Sequence, residues 1–372
     1  MTARVPAKVN LQLAVGPPRA DGYHDLVTVF HAVSLFDEVT VRPAERTKVV
    51  VTGADAGSVP AGRTNLAARA AVALAKAAGT GRRGKSAVLI EIRKRIPVAA
   101  GLAGGSADAA AALVACNELW GAGASPRELR AVAADIGSDV PFALLGGTAV
   151  GQGRGEQLTP ALVTGVYHWV LAFGVGGLST PEVYAACDRL RAARAAGAAN
   201  AATAAPRRLA EAPAAPRSPA EAAAAARRSA AAAAASGSPA GAHSAVNPAI
   251  AAAARPDQAE TAAVQPPQLS TALMAALRSG DPVAVGAQLA NDLQPAAVSL
   301  RPQLRQALTA GRQHGALGAI VSGSGPTCAF LAADAAHARD LAVAVTGAGV
   351  CRAVVAVRGP VGGATILAGE PT

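Results

Sequence analysis

The chain has 372 residues, 51% of them hydrophobic but only 3% aromatic, with 39 glycines and a formal net charge of +10. That length supports two domains, or one domain plus further chain, with ample material for a core. The alanine tracts are broken by Arg, Pro and Glu and do not read as membrane spans. Residues 1–14 lack the apolar stretch of a signal peptide, and neither the four cysteines nor the six histidines have metal-ligand spacing.

The charge is carried by arginine, since only five of the 34 basic residues are lysine (Lys8, Lys48, Lys76, Lys85, Lys94). No basic helix, zinc motif or aromatic-rich RNA-binding strand accompanies it, so nucleic acid is not the expected partner. An anionic small substrate suits the balance as well. Three of Cys116, Cys187, Cys328 and Cys351 lie in apolar stretches and read as buried thiols of a cytoplasmic protein.

Along the chain, the alternation of residues 7–13 reads as a strand, followed by strands at 27–33 and 38–41. A helix begins near Asn65, with Thr64 or Asn65 as its cap. A strand over 87–92 leads into a Gly-rich turn at 97–105, then a long alanine-rich helix over about 106–119. A further helix covers 126–136, and strands follow at 147–151 and 167–173. Residues 191–268 are Ala/Pro/Arg/Ser-rich and nearly free of large apolar side chains, so they read as a disordered insertion with transient helix around 220–235. Regular structure is expected again at 271–277, in helices over 283–293 and 300–311, in a strand at 318–321, and in a closing helix and strand.

Five constellations could carry chemistry. In Ile96-Pro97-Val98-Ala99-Ala100-Gly101-Leu102-Ala103-Gly104-Gly105-Ser106, a strand enters a small-residue loop that opens a helix. Backbone N–H groups and the positive helix end there make a phosphate cradle, or else the loop is a helix start packed on a sheet. Neither Gly-Lys-[Ser/Thr] nor Gly-x-Gly-x-x-Gly is present. Lys8 and Asn10 share one strand face, as an anion and hydroxyl clamp or as a solvated surface. Asp21-Gly22-Tyr23-His24 can stack on and hydrogen-bond a planar base, or form a turn with surface aromatics. Asp139, in Gly137-Ser138-Asp139-Val140-Pro141, is a helix cap or a general base. Ser322-Gly323-Ser324-Gly325-Pro326-Thr327 could approach a phosphate or buttress the first loop.

Taken in order, Pro-Ala-Lys-x-Asn at 6–10, the Pro-x3-Gly-Leu-x-Gly-Gly-Ser loop at 97–106 and the late Ser-Gly-Ser-Gly-Pro turn resemble the GHMP kinase family. Asp-Gly-Tyr-His and Gly-Ser-Asp-Val-Pro narrow the resemblance to a member acting on a cytidine diphosphate-linked methylerythritol. It covers about 1–190 and 269–360. The implied fold is α/β (α+β) with two domains, 1–160 and 161–372, the second interrupted by 191–268, and an active site in the cleft between them. The implied reaction moves the γ-phosphoryl group of ATP, with Mg²⁺, onto a tertiary hydroxyl. A homoserine- or sugar-type kinase and a non-catalytic relative are the alternatives.

Carried over residue by residue, the resemblance makes Asp139 the catalytic base and Lys8 its partner. Asn10, Tyr23, His24, Thr180 and Tyr184 would bind the substrate, with the two tyrosines around the cytosine ring and His24 at its edge. Asn65, Lys94, Pro97, Gly101, Leu102, Ala103, Gly104, Gly105 and Ser106 would bind ATP, Ser106 also contacting Mg²⁺ directly or through water. The expected assembly is a monomer or weak dimer. Ala99, Ala103 and Ala107 stand where the family often has Gly or Ser. The methyl groups at 99 and 103 predict ordinary backbone angles in the loop.

Overall fold

Two long strands, β1 (Thr2–Pro18) and β2 (His24–Pro43), pair antiparallel and form the centre of the structure, a computed structural model that describes residues 1–53, 55–79, 86–204 and 265–368. The sequence reading broke β2 into two strands. The gap is instead absorbed by irregular pairing: Pro6 faces Phe36, the next residue Ala7 faces Val33, and the two intervening residues of β2 bulge out. Strands β3 (Lys48–Gly53), β4 (Val88–Lys94), β5 (Thr148–Gln152) and β6 (Gln157–Pro160) extend this sheet, giving the path β12-β1-β2-β4-β3 with β5 and β6 off β2. Its last members come from the far end of the chain: β8 (Ala290–Asn291) and β12 (Thr365–Ile366) both pair with β1.

Helices α1 (Leu66–Ala77), α2 (Gly104–Trp120), α3 (Pro126–Ile136) and α4 (Val140–Leu145) cover that sheet. In α2, Ala109, Ala110, Ala111, Ala112 and Leu113 are all buried in succession, so the helix is enclosed on every side. Alanine supplies the helical propensity, and its small size lets α2 sit close to β1, β2, α1 and α4 at once. The expected cap holds: Asn65 Oδ1 accepts from the N–H groups of Ala67 (2.9 Å) and Ala68 (3.3 Å).

A second, wholly antiparallel sheet runs β11-β7-β10-β9, built from β7 (Tyr167–Phe173), β9 (Gly318–Val321), β10 (Thr327–Ala332) and β11 (Ala353–Gly359). Its helices are α5 (Thr180–Ala204), α6 (Thr271–Ser279), α7 (Pro282–Ala287), α8 (Gln294–Leu300), α9 (Gln303–Gln313) and α10 (Ala335–Gly347). Three expectations are corrected here. The helix read over 283–293 stops at Ala287, because Ala290 and Asn291 pair with Gln12 and Leu13 of β1 and Asn291 Nδ2 donates to the carbonyls of Val321 and Gly323, both at 2.7 Å. The helix read over 300–311 is present but runs from Gln303 to Gln313, because the preceding helix ends at Leu300 and Pro302 has no N–H to continue it. The stretch read as disordered from 191 is helical as far as Ala204, in line with alanine's propensity; residues 205–264 lie outside the described ones.

The chain divides into two compact units, Met1–Ala192 with Val264–Thr372, and Ala193–Ala263. Both sheets belong to the first.

A buried ionic cluster joins three elements of the larger sheet and its helices. Lys94 Nζ, at the end of β4, donates to Asp37 Oδ2 of β2 (2.5 Å) and Asp108 Oδ2 of α2 (2.8 Å). Asp37 Oδ1 also accepts from the N–H groups of Arg95 (2.6 Å) and Ile96 (2.8 Å), which fixes the start of the Gly-rich loop. All three side chains are almost fully enclosed. Burial works against the lysine charge, but the Asp108 and Asp37 carboxylates outweigh it and hold Lys94 above its ordinary pKa.

The loop itself departs from the expectation of ordinary angles. Ala99 (φ 51°) and Ala103 (φ 59°) both adopt the left-handed conformation, Ala103 as the N-cap of α2. The loop is pinned at both ends, by Asp37 before it and by α2 after it, so the chain accepts the Cβ penalty.

Two stability predictions follow from these contacts. Lys94→Met leaves two carboxylates buried without a cation and lowers stability by about 3–5 kcal/mol in urea unfolding. Ala103→Gly removes the left-handed penalty against a smaller loss of unfolded-state restriction and raises stability by about 0.5–1 kcal/mol in the same assay.

Candidate active site

Because side chains alternate along β1, Lys8 and Asn10 fall on the same face, and that face is buried instead of solvated. Lys8 Nζ donates to Asn10 Oδ1 (2.6 Å) and to the carbonyl of Gly101 (3.0 Å), and lies 3.8 Å from Asp139 Oδ2. The Phe30 ring lies 5.7 Å from the ammonium. Burial lowers the Lys8 pKa, and the Asp139 carboxylate partly offsets that. Asn10 Nδ2 donates to Thr28 Oγ1 (2.8 Å), which donates to the Gln12 carbonyl (2.7 Å), so the amide is held with its oxygen toward Lys8. Asp139 stands at the N-cap position of α4, yet its side chain makes no capping bond and stays 30% exposed. The helix-cap alternative therefore does not describe it.

These groups line a cleft of about 840 Å³. One wall is the Gly-rich loop, from which Gly101, Ala103, Gly104, Gly105 and Ser106 all reach the cleft. The first N–H groups of α2 have no acceptor within the helix and suit an anion. Gly101 has φ +76°, and a Cβ there would lie 2.1 Å from the carbonyl oxygen of Ser322. Ser322 Oγ donates to the Gly101 carbonyl (3.1 Å) and Thr327 N to the Ala100 carbonyl (3.3 Å). The late turn thus buttresses the loop and also adds Gly323 and Ser324 to the cleft.

Pro97 and Leu102 line neither this cleft nor the cavity beside it; both are buried, and Leu102 acts through its carbonyl, which accepts from the Lys8 N–H at 3.3 Å. A second cavity of about 270 Å³ adjoins the first at Leu66, Ala99 and Gly105, and contains Asn65 and Lys94. Asn65 is occupied in capping α1 and in donating to the Pro60 carbonyl (2.7 Å). Lys94 has one ammonium proton left after Asp37 and Asp108.

The other end of the cleft carries the rings. Tyr23 sits in the turn between β1 and β2, 52% exposed, with the Arg154 guanidinium 5.2 Å from its ring centre. Thr180, Tyr184 and Asp188 recur every four residues on α5, so one helix face brings all three to the cleft. Tyr184 lies 5.0 Å from the His24 ring, centre to centre, and burial pushes its hydroxyl pKa up. Thr180 Oγ1 meets Ser324 Oγ at 2.9 Å. Asp188 and Arg154 were missed from the sequence. The four-residue spacing from Tyr184 could have exposed Asp188; Arg154, in the turn between β5 and β6, gave no local signal.

Among the described residues, no group of three or more His, Cys, Asp or Glu side chains could hold a metal ion, and no helix is long and apolar enough to cross a membrane. The three buried cysteines are Cys116, Cys187 and Cys328.

Known proteins bear on this geometry in three ways. The family model for the GHMP kinases N terminal domain matches residues 65–147, and that for GHMP kinases C terminal matches residues 273–351. A 4-diphosphocytidyl-2-C-methyl-D-erythritol kinase of Mycolicibacterium smegmatis is 46% identical over 99% of this chain and 92% of its own. One of Thermobifida fusca is 46% identical over 99% of this chain and 98% of its own. These alignments span the 191–268 stretch too. Among solved structures, a 4-(cytidine 5'-diphospho)-2C-methyl-D-erythritol kinase shares 29% identity with a TM-score of 0.63, covering 96% of this chain and 98% of that one. A homoserine kinase from Cytophaga hutchinsonii, at 17% identity and a TM-score of 0.62 over 99% of this chain and 97% of that one, shares the fold. With relatives of this identity over nearly its whole length, the chain belongs to the GHMP kinase family.

Proposed function

We propose that this chain is the kinase that transfers the γ-phosphoryl group of ATP to the 2-hydroxyl of 4-diphosphocytidyl-2-C-methyl-D-erythritol, a step of the non-mevalonate route to isoprenoid precursors. The observation that carries the reading is one cleft holding an ammonium–carboxylate pair, Lys8 with Asp139, between a helix-opening glycine loop and a cluster of two tyrosines and a histidine. A homoserine- or sugar-type kinase would have no use for that ring cluster.

Phosphoryl transfer depends mainly on positioning and charge neutralisation. The donor's phosphates fit the N–H groups at the start of α2 and the backbone of 101–106, and its nucleoside extends toward the cavity of Asn65 and Lys94. The cytosine lies between Tyr23 and Tyr184 with His24 at its edge, and Thr180 flanks the same substrate. Asn10, its amide fixed by Thr28, orients the methylerythritol hydroxyls. Asp139 accepts the proton of the attacking hydroxyl as the new bond forms. Lys8 pairs with that carboxylate and stabilises the charge gathering on the phosphoryl oxygens.

Mg²⁺ would neutralise phosphate charge. A hydroxyl and a carboxylate in one cleft, Ser106 and Asp139, fit a cation that takes few protein ligands and shares phosphate oxygens. Ser106 is the residue assigned to it. The working division is 1–160, ending with β6, and 161–372. The enzyme is cytoplasmic, a reading supported by its buried thiols, and works as a monomer or weak dimer.

ADP release from ATP with the cytidine substrate tests the reading. The wild-type chain is expected to release ADP only when that substrate is present, and its failure to do so overturns the assignment. In the same assay Asp139→Asn is expected to lower kcat by about 10²–10⁴-fold with little change in either KM. Tyr184→Ala is expected to raise KM for the cytidine substrate about tenfold or more, since base stacking contributes about 1–3 kcal/mol, while Tyr184→Phe stays close to wild type.

A further inference from the structure

His24, the first residue of β2, is 8% exposed and lines the cleft, and its two ring nitrogens are in different situations. Nε2 lies 3.1 Å from both carboxylate oxygens of Asp188. Nδ1 makes no hydrogen bond within the described residues. A carboxylate only accepts hydrogen bonds, so the Nε2 that faces it must carry a proton. In the neutral ring, Nδ1 is then the bare acceptor. Asp188 is held in place by its position on α5, one turn beyond Tyr184, whose ring packs on His24 at 5.0 Å. The same helix face therefore supplies both the ring that packs on His24 and the carboxylate that sets its proton.

We propose that Asp188 is a positioning residue that fixes His24 as the Nε2–H tautomer, so that Nδ1 offers a lone pair to the base and the site selects a 4-aminopyrimidine over a 4-oxopyrimidine. The inference rests on the reading of this cleft as a cytidine site. The exocyclic amine of cytosine donates to that lone pair. The 4-oxo group of uracil meets it with another lone pair, and a buried acceptor facing an acceptor is costly. With Asp188→Asn, the amide can accept from Nε2–H or donate to a bare Nε2. Both tautomers become available, and the selection relaxes.

Two measurements on the full-length chain test this, neither requiring turnover. In ¹⁵N-histidine NMR, with the His24 signal assigned from a His24→Gln spectrum, wild type is expected to show a protonated Nε2 and a bare Nδ1. Asp188→Asn is expected to show a mixture of the two. By calorimetry, with a non-hydrolysable ATP analogue occupying the donor site, wild type is expected to bind cytidine 5'-diphosphate at least tenfold more tightly than uridine 5'-diphosphate. That ratio is expected to fall at least fivefold in Asp188→Asn, through weaker cytidine and stronger uridine binding together. A bare Nε2 in wild type, a tautomer unchanged in Asp188→Asn, or an unchanged binding ratio overturns the proposal. Equal weakening of both nucleotides also overturns it, since that is the mark of a merely structural role. If cytidine preference and tautomer behave as expected but the wild-type chain releases no ADP, the kinase reading fails and the role of Asp188 stands.

Discussion

Three segments distant in sequence converge on a single carbonyl. The oxygen of Gly101 accepts from Lys8 Nζ at 3.0 Å and from Ser322 Oγ at 3.1 Å, while the Ser322 carbonyl occupies the space where a Cβ at 101 would sit. Only glycine allows that approach and the φ of +76° together. The contact sets the larger sheet, through β1, against the glycine loop, and both against the turn that joins β9 and β10 of the smaller sheet. The remaining cleft geometry is referred to this point. The Lys8 N–H to Leu102 carbonyl and Thr327 N–H to Ala100 carbonyl bonds, both 3.3 Å, continue the seam on either side.

Lys8 and Lys94 are both buried beside this loop, and their surroundings differ. Lys94 has two carboxylates at hydrogen-bond distance and its charge is compensated, so it works as a fastener that holds β2, β4 and α2 around the loop. Lys8 has one carboxylate, at 3.8 Å, and otherwise neutral partners, with burial lowering its pKa. A buried ammonium whose one counter-charge is partly exposed gains from any additional negative charge that enters the cleft. A phosphoryl group in transfer brings such charge. The same residue type is raised in pKa at one end of the loop and lowered at the other, and the number of nearby carboxylates makes the difference.

Much of the site could be read from the chain because its parts are local. Lys8 and Asn10 share a face through the two-residue period of a strand, and the glycine loop announces itself by composition just before an alanine-rich helix. The cap at Asn65 and the helix over 126–136 follow from neighbouring residues alone. Other features depend on partners remote in sequence. The left-handed Ala99 and Ala103 contradict the local preference of alanine because their backbone is held from both sides. The end of α7 at Ala287 is set by β1, nearly three hundred residues earlier, and β2 continues through 34–37 because β1 pairs across the bulge. The partner of Asp188 was hidden for a related reason: the spacing from Tyr184 is local, but His24, which it meets, sits on another element.

By itself the sequence determined which residue types stand in which local frames: a lysine and an asparagine on one strand face, a glycine-rich helix start, a carboxylate before a short helix, and aromatics in a turn. These are decided by backbone periodicity and intrinsic conformational preference, which act over a few residues. Tertiary structure decided how those frames combine. It buried Lys8 beside Asp139, engaged Lys94 with two acids, brought the late turn under the loop, and aimed Asp188 at His24. Burial, ionic pairing and the direction of a hydrogen bond depend on atoms that meet only after the chain has closed on itself, so a linear reading names the participants and leaves their charges and orientations to the fold.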